Sequence, residues 1–157
     1  CMPNLRALPE DERRALVERA VDLATDHFAR DGFNCAESVL RGVAQALSLP
    51  LDDALLMAAT PFGGGIGRAG AVCGALSGGV MALGLAFGRT EPSPERKEVA
   101  YAHARNLWQR FVEQAGNESC RAVNALSFGH PDHKALCTRI VSAGARLAAE
   151  ELLREGD

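Results

Sequence analysis

Four cysteines carry most of the reactive chemistry of this 157-residue chain. They are Cys35, Cys73, Cys120 and Cys137. Gaps of 38, 47 and 17 residues separate them, unlike the dense spacing of a small disulfide-bonded secreted protein. A fifth, Cys1, precedes Met2, so we predict that Cys1 is not part of the natural chain. No secretory signal is visible, and a reducing cytoplasm is therefore the expected compartment.

Three of these cysteines are predicted near the N-terminal end of a helix. Cys35 follows the helix N-cap Asn34, Cys120 lies in a first turn, and Cys73 follows a glycine-rich loop. Helix N-termini stabilise thiolates, so we expect lowered thiol pKa values here. At an ordinary pKa of about 8.5, four thiolates at pH 7 cost about 8 kcal/mol, and a structural metal site supplies roughly 10–16 kcal/mol. The spacing thus permits a shared metal site, but it fits buried, unreactive cysteines equally well.

A histidine and a glycine-rich loop supply the other candidate site residues. His133 precedes Cys137 by four residues on one predicted helix, so the two side chains share a face and could reach one ion. The loop is predicted to form an anion-binding nest beside the second cysteine. Its candidate cofactor-binding residues are Gly64, Gly65, Gly67 and Arg68.

Several motifs of other function classes are weak or missing. Residues 65–70 match the G-x-G-x-x-G string of dinucleotide-binding proteins, but the residues before them are predicted as helix rather than strand. The sequence contains no H-E-x-x-H, C-x-x-C, C-x-x-C-H or G-x-S-x-G motif. The formal net charge is −3 and the 17 basic residues are scattered, which argues against nucleic-acid and membrane-surface partners.

The elements that position these residues are predicted to be helices. The chain has 27 alanines against 16 valine, isoleucine and threonine residues, a balance that favours helix over strand. Apolar residues recur at three- and four-residue steps in segments that begin near Pro9, Asn34, Ser93 and His130. The segment that begins at Ser93 is predicted to end at Gly116, with a buried stripe that includes Val99 and Trp108. The buried face predicted after Asn34 consists of Ala36, Val39, Leu40, Val43 and Leu47. We therefore predict an all-α fold, a single compact multi-helix bundle over residues 1–157, with residues 1–8 as a flexible N-terminal segment.

A central buried helix is predicted between residues 69 and 88. This stretch has 20 residues without a charge, a length that could cross a bilayer, but its six glycines favour a buried position within a bundle. Gly70, Gly74 and Gly78 recur every four residues, which predicts one helix face that another backbone can approach closely.

Three segments together resemble a known family. Residues 31–39 read DGFNCAESV, residues 64–68 read GGIGR, and residues 72–79 read VCGALSGG; Cys120 and Cys137 follow singly. This order resembles the family named for its C_GCAxxG_C_C cysteine pattern, over about residues 20–148. The resemblance implies a redox-active protein whose characteristic cysteines are Cys35, Cys73, Cys120 and Cys137. A similar domain in split-Soret cytochromes is associated with an iron–sulfur centre, although this chain lacks their haem-attachment motif.

The leading hypothesis is that four converging cysteines bind an iron–sulfur cluster or another thiophilic metal such as zinc, for electron transfer. His133 could replace one thiolate, and a redox partner protein or a small-molecule donor would supply electrons. The second hypothesis is a metal-free thiol oxidoreductase with Cys35 or Cys73 as the catalytic nucleophile. The third is a non-catalytic interaction module, a homodimer packed through the Gly70, Gly74 and Gly78 face, with inert cysteines.

Overall fold

The computed structural model describes residues 4–154, and its regular elements are helical. After a 3-10 helix at Leu5–Ala7, the elements are α1 (Glu10–Ala29), α2 (Cys35–Ala46), α3 (Asp53–Ala59), a 3-10 helix (Thr60–Phe62), α4 (Gly63–Ile66), α5 (Gly74–Phe87), α6 (Pro94–Ala115), α7 (Cys120–Val123) and α8 (His133–Leu153). Within residues 4–154 the only β-type pairing is an isolated antiparallel bridge between Val72 and Ser119. The all-α prediction is confirmed.

Helices α2 and α5 form the centre of the bundle. Helix α2 packs against α1, α5 and α8, and α5 also contacts α6 and α8. The predicted apolar face of α2 is buried along its length. It consists of Ala36, Val39, Leu40, Val43 and Leu47. The buried, glycine-rich character predicted for the central helix is confirmed for α5, whose residues 74–79 are all buried.

The face predicted at Gly70, Gly74 and Gly78 is shorter in the structure, and the element that packs against it is not the predicted one. Gly70 has a φ of +74° and lies before α5, so it is not on the helix with Gly74 and Gly78. A Cβ built on Gly78 would lie 2.4 Å from the Ala36 carbonyl oxygen, and one on Gly74 would lie 2.3 Å from the Cys35 Sγ. Helix α2 of the same chain therefore covers the face formed by Gly74 and Gly78, so that face is not open to a second chain. Dimerisation of the protein stays a prediction.

The chain within residues 4–154 contains no helix with both the length and the apolar character that a bilayer crossing requires. Helix α5 has only 14 residues, because the uncharged stretch that precedes it forms an irregular loop.

Helix α6 begins and ends at the capping residues that the sequence contains, but its buried face is narrower than predicted. Ser93 caps α6 by accepting a hydrogen bond from the Arg96 amide, and Gly116 ends it in a left-handed conformation. The predicted stripe of α6 included Val99 and Trp108, but these side chains are 48% and 42% exposed. They lie one step to either side of the buried face, which α6 turns towards α5 and α8.

The N-terminal segment packs onto the bundle where the structure describes it. Arg6, in the first 3-10 helix, lies 4.9 Å from the centroid of the Phe87 ring and donates a hydrogen bond to the His103 Nε2 at 3.2 Å. Cys1 and the rest of residues 1–3 lie outside the described residues, so the predictions made for them stay predictions.

Candidate functional site

The four cysteines line one cavity of about 450 Å³. Cys35 is the first residue of α2, Cys73 is the N-cap of α5, Cys120 opens α7, and Cys137 lies one turn into α8. Four separate helices thus each contribute one thiol. The convergence that the leading hypothesis requires is present, and all four thiols are free.

A short backbone pairing brings Cys73 and Cys120 together. The Cys73 amide donates to the Glu118 carbonyl at 2.7 Å, and the Cys120 amide donates to the Ala71 carbonyl at 2.6 Å. Residues 71–73 and 118–120 therefore run side by side like two strand fragments, with the Val72–Ser119 bridge between them. These hydrogen bonds hold the two cysteines, which are 47 residues apart in the sequence, at one wall of the cavity.

Cys35 is positioned by a reciprocal helix cap. The Asn34 side chain accepts a hydrogen bond from the Glu37 amide, and the Glu37 carboxylate accepts one from the Asn34 amide. The Asn34 Nδ2 also donates to the Thr60 carbonyl at 2.9 Å, which ties this helix end to the segment entering the glycine-rich loop. The N-cap predicted at Asn34 is confirmed.

The glycine-rich loop turns in the left-handed sense. Gly64, Gly65, Ile66, Gly67 and Arg68 have φ values between +57° and +65°, so α4 is not a regular right-handed helix. A Cβ on Gly65 would lie 2.6 Å from the Cys120 Cβ, which explains why this position needs glycine. Because Ile66 and Arg68 carry side chains, this conformation costs about 1–2 kcal/mol of free energy at each of them.

Three of the four predicted cofactor-binding residues reach the cavity. Gly64, Gly67 and Arg68 line it, whereas Gly65 packs behind Cys120. The Gly67 amide donates to the Pro61 carbonyl at 3.0 Å and the Arg68 amide to the Gly63 carbonyl at 3.4 Å. These two amides are bonded within the loop, so the predicted anion-binding nest does not include them.

Cys137 has two polar neighbours. Both ring nitrogens of His133 lie 3.8 Å from the Cys137 Sγ, so the predicted pair does share one helix face. Asn124, only 5% exposed, donates from Nδ2 to the same sulfur at 2.8 Å. Sequence reasoning missed Asn124, because it follows a four-residue helix and its position depends on how that segment folds back towards α8.

Burial raises the pKa of three of the four thiols. The pKa of Cys73 is raised to about 12, mainly by burial and further by the nearby Cys35 thiol, and the helix amides of Ala75 and Leu76 do not offset this. The pKa of Cys137 is raised to about 11 by burial despite the Asn124 hydrogen bond. Burial and Cys35 also raise the pKa of Cys120. The lowered values predicted at Cys73 and Cys120 are wrong, since desolvation outweighs the helix-end effect.

The raised pKa of Cys73 predicts that the metal-free, reduced protein loses stability in alkali. Above about pH 9 the Cys73 thiol ionises in the unfolded chain but stays protonated in the native chain until about pH 12. Because the native state then binds the extra proton, stability falls by about 1.4 kcal/mol per pH unit in this window. Urea unfolding at pH 8.5 and 10.5 should show a steeper loss for the wild type than for Cys73→Ala. Parallel losses in the two proteins would contradict this assignment.

The thiols surround the cavity without forming a ready site for a single ion. Within residues 4–154, no three histidine, cysteine, aspartate or glutamate side chains are grouped closely enough to hold one metal ion. Ligands of one ion require sulfur atoms roughly 3.5–4 Å apart, given metal–sulfur bonds of about 2.3 Å. As it stands, the arrangement suits a group that fills the space between the thiols.

Comparison with known proteins agrees with the cysteine pattern. Residues 33–151 match the family model described as "Putative redox-active protein (C_GCAxxG_C_C)". An uncharacterized protein from Archaeoglobus fulgidus is 31% identical over 127 residues, which cover 76% of this chain and 84% of that relative. No solved structure matches this chain. The family match includes all four cysteines and confirms the resemblance. This chain therefore belongs to the C_GCAxxG_C_C family.

Proposed function

We propose that the four thiols bind an iron–sulfur cluster and that the protein transfers electrons through it. The observation that carries the proposal is the convergence of Cys35, Cys73, Cys120 and Cys137 on one cavity from four helices. Four thiolates are the usual ligand set of [2Fe–2S] and [4Fe–4S] clusters. None of the described residues lining the cavity is an aspartate or glutamate, so the donor set favours a thiophilic group over a hard cation.

The spacing of the thiols favours a cluster over a single zinc ion. Zinc needs its sulfur ligands in mutual contact, and no such grouping exists within residues 4–154. An iron–sulfur cluster places several of its own atoms between the protein ligands, so its cysteines surround a space. A cavity lined by four thiols matches that requirement.

The energetics require that the bound group be strongly thiophilic. At pH 7 a thiol with a pKa of about 12 costs about 7 kcal/mol to ionise, which is the cost at Cys73 without a cation. A structural metal site supplies roughly 10–16 kcal/mol in total, which has to cover the ionisation of all its thiols. Cys73 should therefore ionise at neutral pH only when a metal binds to it. Metal uptake and deprotonation of this thiol should occur in one step.

The surrounding residues would set the properties of the bound group. A cluster, when bound, supplies reversible one-electron transfer. Cys73 is 4% exposed, so its side of the site excludes water, which favours the less charged oxidation state. Asn124 donates a hydrogen bond to the Cys137 sulfur, a contact that stabilises added negative charge at that ligand. His133, whose ring nitrogens lie 3.8 Å from the Cys137 Sγ, would be the substitute for Cys137 as a ligand.

Electrons would come from a redox partner protein or a small-molecule donor, in a reducing compartment such as the cytoplasm. The alternative function, a metal-free thiol oxidoreductase, needs an attacking thiolate near neutral pH. The raised pKa of Cys73 argues against that thiol as the nucleophile and leaves Cys35 as the candidate for such chemistry.

Anaerobic reconstitution with iron and sulfide tests the proposal. We expect visible absorbance of sulfur-to-iron charge transfer that bleaches with dithionite, together with iron and sulfide in equal amounts. A colourless, metal-free product would contradict the proposal. If that product also formed an intramolecular disulfide reversibly with a glutathione buffer, the thiol oxidoreductase alternative would replace it.

A further inference from the structure

Arg68 is an exposed cation at the rim of the cavity. Among residues 4–154, its guanidinium has no hydrogen bond and no carboxylate oxygen lies within 4.0 Å of it. Within that range its side chain interacts with the Phe128 ring, whose centroid lies 6.0 Å from the guanidinium carbon. Exposed arginines such as Arg105 also have no side-chain partner among the described residues, so what distinguishes Arg68 is its position at the cavity.

The backbone at Arg68 is held in an unfavourable conformation. A φ of +65° is disfavoured for a residue with a side chain, by about 1–2 kcal/mol. Positions 64, 65 and 67 are glycines, which adopt this conformation without that penalty, whereas Ile66 shares the strain but does not line the cavity. Strain of this kind is characteristic of binding and catalytic sites, where the side chain is required in that place.

The remaining surroundings describe the ligand that Arg68 would take. Among the described residues that line the cavity, Arg68 is the one permanently charged side chain. Much of the wall is apolar and is formed by Phe28, Pro61, Val123, Phe128 and Ile140. A cavity of about 450 Å³ lies in the range typical of small-molecule sites, which combine apolar walls with a few polar groups.

We infer that the cavity is also a binding site for a small organic anion, a carboxylate with an apolar body. The carboxylate pairs with the Arg68 guanidinium at the rim, and the apolar body lies against the Phe128 side of the cavity, next to the thiols. Arginine suits this role because its planar donors match the two oxygens of a carboxylate. The inference goes beyond the electron-transfer proposal, and its test uses the metal-free chain.

Titration with benzoate, followed by NMR of the ¹⁵N-labelled, reduced and metal-free full chain, tests the inference. We expect saturable shifts centred on residues 64–68 and 123–128, and much weaker binding of the neutral analogue benzamide. Arg68→Gln should weaken benzoate binding about ten-fold or more, because it removes a charge-assisted pair. Glutamine keeps the same backbone strain, so the change isolates the guanidinium. Arg105→Gln, an exposed position on α6, is the matched control and should bind as the wild type does.

Equal affinity of benzoate and benzamide, unsaturable shifts, or an Arg68→Gln variant that binds as tightly as the wild type would each overturn the inference. In that case Arg68 would serve only to balance thiolate charge. Iron content after reconstitution is measured separately on the same variant. A chain that binds benzoate through Arg68 but takes up no iron would support this inference and contradict the electron-transfer proposal.

Discussion

Replacing Gly78 with alanine is expected to lower the free energy of unfolding by about 3 kcal/mol. The added Cβ would lie 2.4 Å from the Ala36 carbonyl oxygen and 3.1 Å from the Val39 Cβ. Ala36 is fully buried in α2 and next to Cys35, so its backbone cannot withdraw without moving the start of that helix. Urea unfolding followed by circular dichroism measures the change.

Gly84→Ala is the matched control for this prediction. Gly84 lies on the same helix, is exposed, and its added Cβ would meet no atom within 4 Å. Alanine there should raise stability by about 0.5–1 kcal/mol, since it restricts the unfolded chain and favours helix. If the two variants had similar stability, the close packing of α2 on α5 would be refuted.

Replacing Cys73 with alanine is expected to abolish iron and sulfide incorporation while the fold is retained. Cys73 is the most buried of the four thiols, so no water or neighbouring side chain can take its place as a ligand. Loss of a small buried sulfur costs about 1–2 kcal/mol, which a domain of this size tolerates. Iron and sulfide analysis after anaerobic reconstitution provides the measurement, and circular dichroism verifies the fold.

Ser77→Ala serves as the control for Cys73→Ala. Ser77 lies one turn further along α5, is buried, and its hydroxyl contacts the Cys73 carbonyl at 3.4 Å. This variant perturbs the same helix turn but keeps all four thiols, so it should incorporate iron as the wild type does. Equal iron content in Cys73→Ala and Ser77→Ala would exclude Cys73 as a ligand.

Local signals made much of the fold predictable. The capping residues Asn34 and Ser93 and the terminal Gly116 act within one or two turns of their own helix, and each was found where its sequence predicted it. The buried face of α2 followed from its spacing of apolar residues. These features depend on neighbours a few positions away, which a sequence displays directly.

The parts of the site that could not be predicted depend on distant residues. The pairing of residues 71–73 with 118–120 joins two segments that have no strand pattern of their own, and it arises from backbone hydrogen bonds between them. The pKa of Cys73 depends on how deeply the folded chain buries it, which its place at a helix end does not reveal. The sequence predicts that one face of α5 consists of glycines and can be approached closely. It does not reveal that α2 of the same chain covers this face, because that depends on tertiary packing.

The central claim is that Cys35, Cys73, Cys120 and Cys137 of one chain bind a single iron–sulfur cluster. Native mass spectrometry under anaerobic conditions tests it most directly, on the reconstituted chain carrying Cys1→Ser. We predict a mass increase of one cluster per chain, which disappears when Cys35, Cys73 or Cys120 is replaced by alanine. An unchanged mass, or one cluster shared between two chains, would contradict the account.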